Sequence, residues 1–244
     1  MVPLDPGRVR AYLESLPLLG KGAEAEVRVG DYAGVRAVFK YRLPKRYRHP
    51  LLDSRLRSTR TRREARLLDR AYSAGVRVPM LLAVYPSLGL LVVEYVEGVL
   101  LREWLMVQRS GWRPLVREAG SLLARLHRAG IVHGDSTTSN YIVARDGLYL
   151  IDFGLSEASH SIEERAVDVH LFRRSLESAH ASIAERAFQE FLGGYLSAAG
   201  EWGERVVRRA EEIRLMGRYV AARRSVWADH GGGVDSCEAR PGHG

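Results

Sequence analysis

The sequence predicts an α+β fold in two lobes, in which an N-terminal antiparallel sheet with one helix precedes a reduced, mainly helical C-terminal lobe. Five short runs of β-prone residues, separated by turns and by one helical stretch, lie before residue 97. After Gly98 the apolar residues recur at helical spacing, and one hairpin interrupts them. With 244 residues and 46% apolar content, the chain is long enough to bury its own core.

The first lobe is predicted over residues 1–97. Its strands are the runs at 18–22, 26–29, 35–40, 81–85 and 90–94. A helix is predicted over 53–74, because this stretch contains no Gly or Pro and Gly75 follows it. The expected buried face of this helix consists of Glu64, Leu67, Leu68 and Ala71.

The second lobe is predicted over residues 98–227. Its helices are expected at 100–106, at 114–129 and, with breaks near His180 and at Gly200, from Glu163 onward. Strands at 141–144 and 148–151 flank Asp146-Gly147, which is a strong hairpin signal. The Gly-rich, apolar-poor tail at 228–244 is predicted to be disordered.

Composition narrows the class of protein. No run of about 20 apolar residues and no N-terminal signal pattern occurs, so we expect a cytoplasmic protein that does not insert into membranes. The single cysteine, Cys237, gives neither a disulfide framework nor a cysteine metal site. The net charge is +8, and the segment 42–70 contains eleven basic and three acidic residues. Such a segment is typical of a surface that binds polyanions, although a solvated Arg-rich helix would have the same composition.

Three polar residues carry the chemistry: Asp135, Asn140 and Asp152. Asn140 follows Asp135 by five residues, Asp152 follows Asn140 by twelve, and the predicted hairpin lies between them. This spacing, with Asp152-Phe-Gly, resembles the catalytic loop and metal-binding segment of protein kinases, and it implies a bilobal protein-kinase-like fold. The resemblance implies ATP and Mg²⁺ as cofactors, Asp135 as the catalytic base, and Asn140 and Asp152 as oxygen ligands of the metal.

The first lobe contains the matching phosphate-binding residues. The Gly-rich pattern of kinases is matched by Gly20, Lys21, Gly22, Ala23, Glu24 and Ala25, with Ala25 in place of the third glycine. Lys40, one of three lysines in the chain, occupies the strand position whose lysine contacts the α and β phosphates. Its predicted ion-pair partner is Glu64, the only Glu between Lys40 and Glu94. By the same resemblance, Glu94 and Val96 are further ATP-binding candidates.

Two residues are expected to support the catalytic loop. His133 is expected to brace the loop, while Asp168 either holds it from below or is an ordinary Asp at a helix start.

Two usual kinase features are missing. The loop reads His133-Gly-Asp, without the arginine that binds an activation-loop phosphate, and no Ala-Pro-Glu follows Asp152-Phe-Gly. A signalling kinase with many peptide substrates is therefore not expected.

Longer motifs resemble one family, the small atypical kinase subunit of the KEOPS (EKC) complex, a relative of the RIO kinases. The motifs are Gly-Ala-Glu-Ala at 22–25, the segments at 40–50, 52–57 and 60–68, His-Gly-Asp at 133–135, Thr-Ser-Asn at 138–140, Asp-Phe-Gly-Leu-Ser at 152–156, Ala-Val-Asp-Val at 166–169 and Arg-Leu-Met-Gly-Arg at 214–218. This resemblance implies a serine/threonine-type phosphotransferase with ATPase activity that supports threonylcarbamoyladenosine formation on tRNA. Its implied partners are the ATPase-like threonylcarbamoyl-transferase subunit, other KEOPS subunits and tRNA, with Arg218, Arg223 and Arg224 as candidate tRNA contacts.

Two other functions stay open at this point. A non-catalytic, RNA-binding scaffold would explain the basic segment at 42–70. A small-molecule kinase of the aminoglycoside or choline type would share His-Gly-Asp and the spacing from Asp135 to Asn140, but such enzymes usually lack Asp-Phe-Gly. The phosphoryl acceptor also stays open between water, a Ser or Thr of this chain, and a partner protein.

Overall fold

The computed structural model describes residues 6–22, 24–45, 47–107 and 111–230. The helices are α1 (Pro6–Ser15), α2 (Pro50–Ser73), α3 (Leu101–Val107), α4 (Trp112–Arg128), α5 (Ile162–Ala179), α6 (Ala184–Ala199) and α7 (Glu201–His230). The strands are β1 (Leu18–Lys21), β2 (Ala25–Tyr32), β3 (Val35–Arg42), β4 (Leu81–Tyr85), β5 (Leu90–Glu94), β6 (Gly98–Leu100), β7 (Ile131–Val132), β8 (Tyr141–Ala144), β9 (Gly147–Leu150) and β10 (Glu157–Ala158).

The first five strands form one antiparallel sheet in the order β1-β2-β3-β5-β4, which confirms the predicted N-terminal sheet. Strands β4 and β5 have the predicted bounds, while β2 and β3 continue past theirs. Helix α1 is not predicted by the sequence. It buries Leu13 beside Phe39 of the sheet, and among residues 7–15 no other side chain is buried, which leaves too weak an apolar pattern to reveal the helix.

Helix α2 connects the two lobes. It begins at Pro50, three residues before the predicted start, because the fixed φ of proline suits the first helical position. The predicted buried face is confirmed, since Glu64, Leu67, Leu68 and Ala71 are all buried. Leu67 and Leu68 join the hydrophobic core of the C-terminal helices, so α2 holds Glu64 at the boundary between the lobes.

The C-terminal lobe is mainly helical, as predicted, and α4 packs closely on α6. A Cβ atom at Gly120 would lie 2.0 Å from the carbonyl oxygen of Phe191, and one at Gly194 would lie 1.8 Å from that of Arg117. Phe172 of α5 stacks on Phe191 with ring centroids 4.1 Å apart. The helix breaks predicted near His180 and at Gly200 are confirmed, because α5 ends at Ala179 and α6 ends at Ala199.

Several boundaries differ from the sequence prediction. Residues 98–100 form β6, which pairs with β8, so α3 begins at Leu101 instead of 100. The two-residue ladder of β7 and β10 depends on tertiary contacts and is not predicted. Helix α7 continues through 228–230, where the sequence suggests the start of a disordered tail, and residues 231–244 lie outside the described part. Among the described residues, none of the helices combines the length and hydropathy needed to cross a membrane.

Candidate active site

A cleft of about 510 Å³ separates the two lobes, and its walls are mostly apolar. One end of the cleft contains the charged residues Lys40, Glu64 and Asp152. Glu94 at the end of β5 and Val96 just after it, both predicted to contact ATP, line the cleft together with Gly20 near the end of β1. The apolar end suits a flat aromatic ring, while the charged end suits phosphate groups and a metal ion.

Lys40 lies at the centre of the charged end. Its Nζ is 2.7 Å from Glu64 Oε1, which confirms the predicted ion pair, and 2.6 Å from Asp152 Oδ1. Arg42, two residues along β3, donates to Glu64 Oε2 at 2.6 Å. Alternate residues of a strand face the same side, so both cations point toward α2 and share one buried carboxylate.

The charges of this cluster support each other. Burial works to lower the pKa of Lys40, but the carboxylates of Glu64 and Asp152 outweigh it, and the pKa is raised. Burial works to raise the pKa of Asp152, but the Lys40 ammonium outweighs it, and the pKa is lowered. At neutral pH Lys40 therefore stays cationic and Asp152 stays ionised, as phosphate and metal binding both require.

The predicted catalytic loop, residues 133–140, follows β7 and brings Asn140 back to Asp135. Asn140 Nδ2 donates to the carbonyl oxygen of Asp135 at 2.7 Å and to its Oδ2 at 2.9 Å. Both contacts use the amide nitrogen, so the amide oxygen of Asn140 and Oδ1 of Asp135 are left for other partners. The carboxylate of Asp135 and the amide of Asn140, five residues apart in the chain, are thus held side by side.

His133 and Asp168 hold this loop from within the protein. Asp168 on α5 is buried and accepts from the backbone N–H groups of His133 at 2.6 Å and Gly134 at 2.8 Å. The fully buried His133 ring donates from Nε2 to the Ile151 carbonyl oxygen at 3.0 Å and accepts at Nδ1 from the Asp135 N–H at 3.3 Å. The side chain of His133 braces the loop, and Asp168 holds it from below; Asp168 is not a helix-start residue, because α5 begins at Ile162.

Two backbone positions explain the residue types in these motifs. Gly134 has φ +78°, and a Cβ there would lie 2.5 Å from the carbonyl oxygen of Leu155. The arginine of the usual kinase motif therefore does not fit at this position, which accounts for His-Gly-Asp. Asp152 has φ +62°, a left-handed conformation that Asp and Asn tolerate better than most residues.

The Gly-rich segment only partly follows the prediction. Lys21 Nζ pairs with Glu26 at 2.9 Å, and Glu24 accepts from Arg60 Nη1 at 2.5 Å, so neither side chain lines the cleft. Gly22 N–H donates to the carbonyl oxygen of Ala25 at 2.9 Å, which narrows the turn between β1 and β2. Ala23 lies outside the described residues. The phosphate contacts predicted for this turn stay predictions.

The donor set fits a magnesium ion. Asn140 offers an amide oxygen and Asp152 a carboxylate oxygen, whereas Oδ1 of Asp152 already accepts from Lys40 and from the Gly154 N–H at 3.0 Å. Mg²⁺ takes few protein ligands and completes its octahedron with phosphate oxygens and water. Within the described ranges, no cluster of three or more His, Cys, Asp or Glu side chains could hold a metal by itself.

Sequence reasoning missed several residues at the site. Arg42 could have been found, because it lies on the same strand face as Lys40. Tyr95 and Glu103 line the cleft, but only the pairing of β6 with β8 brings Glu103 there. The candidate tRNA contacts Arg218, Arg223 and Arg224 lie on α7, in a stretch whose side chains are outside the described part of the chain.

Comparison with known proteins identifies the family. Residues 32–175 match the family described as the RIO domain. The KEOPS complex subunit Bud32 of Pyrococcus abyssi is 42% identical over 212 residues, which cover 84% of this chain and 96% of that protein. The chain belongs to the Bud32 family of RIO-domain proteins. This membership confirms the resemblance to the atypical KEOPS kinase subunit and favours it over a kinase of the aminoglycoside or choline type.

Two further matches are a longer relative of this Bud32-family chain and a solved structure with a similar fold. A probable bifunctional tRNA threonylcarbamoyladenosine biosynthesis protein of Methanothermobacter thermautotrophicus is 40% identical over 203 residues, which cover 83% of this chain but 36% of that protein. The crystal structure of the Chaetomium thermophilum Rio2 kinase in its ADP/Mg²⁺-phosphoaspartate complex superimposes with a TM-score of 0.57 at 17% identity, covering 87% of this chain and 75% of Rio2. The second match confirms the kinase-like fold.

Proposed function

We propose that the chain is an ATP- and Mg²⁺-dependent phosphotransferase or ATPase, of the atypical serine/threonine kinase type, that acts as a cytoplasmic subunit of a KEOPS complex. In that complex it would support formation of threonylcarbamoyladenosine on tRNA, beside the ATPase-like threonylcarbamoyl-transferase subunit. The observation that carries the proposal is the convergence of Lys40, Glu64 and Asp152 at one end of the cleft. The complex and the modified nucleoside are proposed from the relatives, which include a KEOPS complex subunit and a probable threonylcarbamoyladenosine biosynthesis protein.

The residue types at this end of the cleft suit phosphoryl transfer. The apolar walls hold the adenine ring, Lys40 neutralises phosphate oxygens, and Asn140 with Asp152 would hold the metal. Mg²⁺ held by these residues would neutralise phosphate charge. The acceptor oxygen bonds to the γ-phosphorus as the bond from that phosphorus to the bridging oxygen of ADP breaks. The acceptor proton moves to Oδ1 of Asp135, because Oδ2 accepts from Asn140.

The short segment after Asp152-Phe-Gly supports a dedicated acceptor. Only seven residues, 155–161, separate Gly154 from α5, and two of them form β10. This leaves little surface on which an extended peptide could lie beside Asp135. The proposal therefore places the acceptor among water, a Ser or Thr of this chain, and a protein held in place by the complex.

The test uses ATP labelled at the γ-phosphate. The purified chain is incubated with Mg²⁺, alone and with its threonylcarbamoyl-transferase partner, and released phosphate and labelled protein are measured. We expect turnover that Asp135→Asn lowers by about 100-fold or more, since the base is lost but the shape is kept. Asp146→Asn, which removes the same charge from the exposed β8–β9 turn, serves as the control. Absence of turnover in both mixtures would refute the enzymatic proposal.

A second candidate, an RNA-binding scaffold, is favoured by one observation. Arg55, Arg62 and Arg66 are exposed on α2, and their spacing of seven and four residues places them on one helix face. Backbone-phosphate binding through these residues would weaken steeply with salt. Replacing all three by Gln should lower the affinity for tRNA and flatten its salt dependence. The matched triple replacement of the exposed Arg145, Arg174 and Arg186 should do neither if α2 is the RNA-binding face.

A further inference from the structure

Arg42 joins two carboxylates that belong to different parts of the N-terminal lobe. Its buried guanidinium donates to Glu64 Oε2 at 2.6 Å, and its Nη1 lies 3.6 Å from Oε2 of Glu24 in the turn between β1 and β2. Lys40 occupies the other oxygen of Glu64. The turn, strand β3 and helix α2 are therefore connected through a single arginine.

Arg60 makes a second connection between the same turn and α2. Its Nη1 donates to Glu24 Oε1 at 2.5 Å and also contacts Oε2. Because Arg60 precedes Glu64 by four residues, the two side chains lie on one face of α2. The hydrogen bond from Arg60 is the main cause that lowers the pKa of Glu24, so this carboxylate stays ionised at neutral pH. The backbone adds a further contact, since Leu43 N–H donates to the carbonyl oxygen of Glu24 at 3.0 Å.

Glu64 needs a partner other than Lys40 if Lys40 is to serve the phosphates. Lys40 has three N–H donors, and two of them point at Glu64 and Asp152. Glu64 is 3% exposed, and an ionised carboxylate left unpaired at such a site is strongly unfavourable. Arg42 supplies the second cation. Lys40 can therefore share its donors with phosphate oxygens while Glu64 and α2 keep their positions.

We propose that Glu24, Arg42 and Arg60 are positioning residues for the triphosphate, which fix the β1–β2 turn against α2 and hold Glu64 in place when Lys40 contacts phosphate. This inference rests on the proposed nucleotide-binding function; it adds Arg42 and Arg60 to it and gives Glu24 a positioning role. None of the three touches the adenine end of the cleft, because none of them lines it. Their effect is thus confined to the phosphate end.

The direction in which Glu24→Gln changes the affinity for MgATP distinguishes this inference from a purely electrostatic effect of Glu24. If Glu24 acted only through its negative charge, Glu24→Gln would strengthen the binding of MgATP, because repulsion of the phosphates would be removed. If Glu24 holds the turn in place, the same substitution weakens MgATP binding, because the phosphate-binding conformation is no longer fixed. Arg60→Gln weakens binding on either account, so Glu24→Gln is the decisive variant.

The experiment is calorimetric titration of the full chain with MgATP and, separately, with adenosine, which lacks phosphates. We expect Glu24→Gln and Arg60→Gln to weaken MgATP binding by about three- to tenfold and to leave adenosine binding unchanged. Arg42→Lys keeps the charge but loses the planar guanidinium, whose two terminal nitrogens face Glu64 and Glu24, so it should also weaken MgATP binding selectively. Asp31→Asn and Arg145→Gln, which remove the same charges at exposed positions elsewhere, are the controls and should bind like the wild type.

Each other outcome overturns the inference. Equal or tighter MgATP binding by Glu24→Gln would show that the contacts of Glu24 with Arg42 and Arg60 do not position the turn. A parallel loss of adenosine binding would show general destabilisation of the lobe. If the wild-type chain binds no MgATP, both the proposed function and the inference are refuted. If the wild type binds MgATP but Glu24→Gln binds it equally well or more tightly, the proposed function stands and only the inference is refuted.

Discussion

His127 and Asp168 form a hydrogen bond in the core beneath the catalytic loop, with His127 Nε2 3.1 Å from Asp168 Oδ2. The other ring nitrogen, Nδ1, is 2.7 Å from the hydroxyl of Tyr195 on α6. Because Nε2–H donates to the Asp168 carboxylate, Nδ1 accepts the hydrogen bond from the Tyr195 hydroxyl. Burial lowers the pKa of His127 and keeps the ring neutral, which suits this arrangement. The chain of contacts leads from Tyr195 through His127 and Asp168 to the N–H groups of His133 and Gly134.

We predict that Tyr195→Phe lowers kcat for ATP turnover by about three- to tenfold and leaves KM for ATP nearly unchanged. Without the hydroxyl, the His127 ring loses one of the two bonds that fix its orientation, so Asp168 holds the catalytic loop less firmly. The nucleotide cleft is not altered, because Tyr195 does not line it. The measurement is steady-state kinetics over a range of ATP concentrations.

Phe191→Leu is the control for that prediction. Phe191 lies on the same helix as Tyr195, is as deeply buried and stacks on its ring. Its side chain has no polar atom and therefore forms no hydrogen bond with His127 or Asp168. We expect it to lower the free energy of unfolding by about 1 kcal/mol and to leave kcat unchanged. Equal losses of kcat in Phe191→Leu and Tyr195→Phe would mean that loose packing, and not the hydrogen-bonded chain, accounts for the effect.

Two adjacent glycines of α6 should respond in opposite ways to alanine. Gly194→Ala should lower the free energy of unfolding by about 2 kcal/mol or more, since its Cβ would lie 1.8 Å from the carbonyl oxygen of Arg117 and the helices must separate. Gly193→Ala meets only the mobile end of the Arg117 side chain at 3.0 Å. It should be neutral or stabilising by about 0.5 kcal/mol through helix propensity. Urea denaturation of both variants checks this, and a similar loss in both would refute the proposed close contact of α4 and α6.

Acidification below neutral pH should destabilise the fold. Burial is the first cause that lowers the pKa values of His127, His170 and His180. Below about pH 6.5 these histidines take up protons in the unfolded chain before they do so in the native state. The unfolded state then binds more protons, so the free energy of unfolding decreases as the pH falls from 6.5 through the lowered pKa values. Carboxylates with lowered pKa values, such as Asp152, add to this loss of stability only at more acidic pH, where they take up protons in the unfolded chain.

The measurement is the urea midpoint at constant ionic strength between pH 7.5 and 5.5. We expect a decrease on the order of 1 kcal/mol in the free energy of unfolding over this range. His180→Gln removes a buried ring whose Nε2 has no hydrogen-bond partner among the described residues, so the pH dependence should become shallower in this variant. A midpoint that stays constant or rises on acidification would contradict the assignment of neutral buried histidines.

The sequence predicted those features that depend on local pattern. Strands β4, β5 and β8 have their predicted bounds because apolar runs and turn residues mark both ends. The pair of Lys40 and Glu64 was predictable because few lysines and only one glutamate were available. Helix α1 was not, because one buried leucine gives little periodicity. The place of Glu103 in the cleft and the contact of Tyr195 with His127 depend on contacts between distant segments, which the local pattern of a chain does not specify.

The most direct test of the account is the amount of threonylcarbamoyladenosine formed on tRNA by the reconstituted complex containing wild-type chain or Asp152→Asn. Asparagine keeps the shape and tolerates the left-handed backbone at this position, but it removes the charge that would hold the metal. We predict that modification falls by about 100-fold or more while the complex still assembles. Unchanged modification with Asp152→Asn would contradict the claim that metal-dependent nucleotide chemistry in this cleft serves tRNA modification.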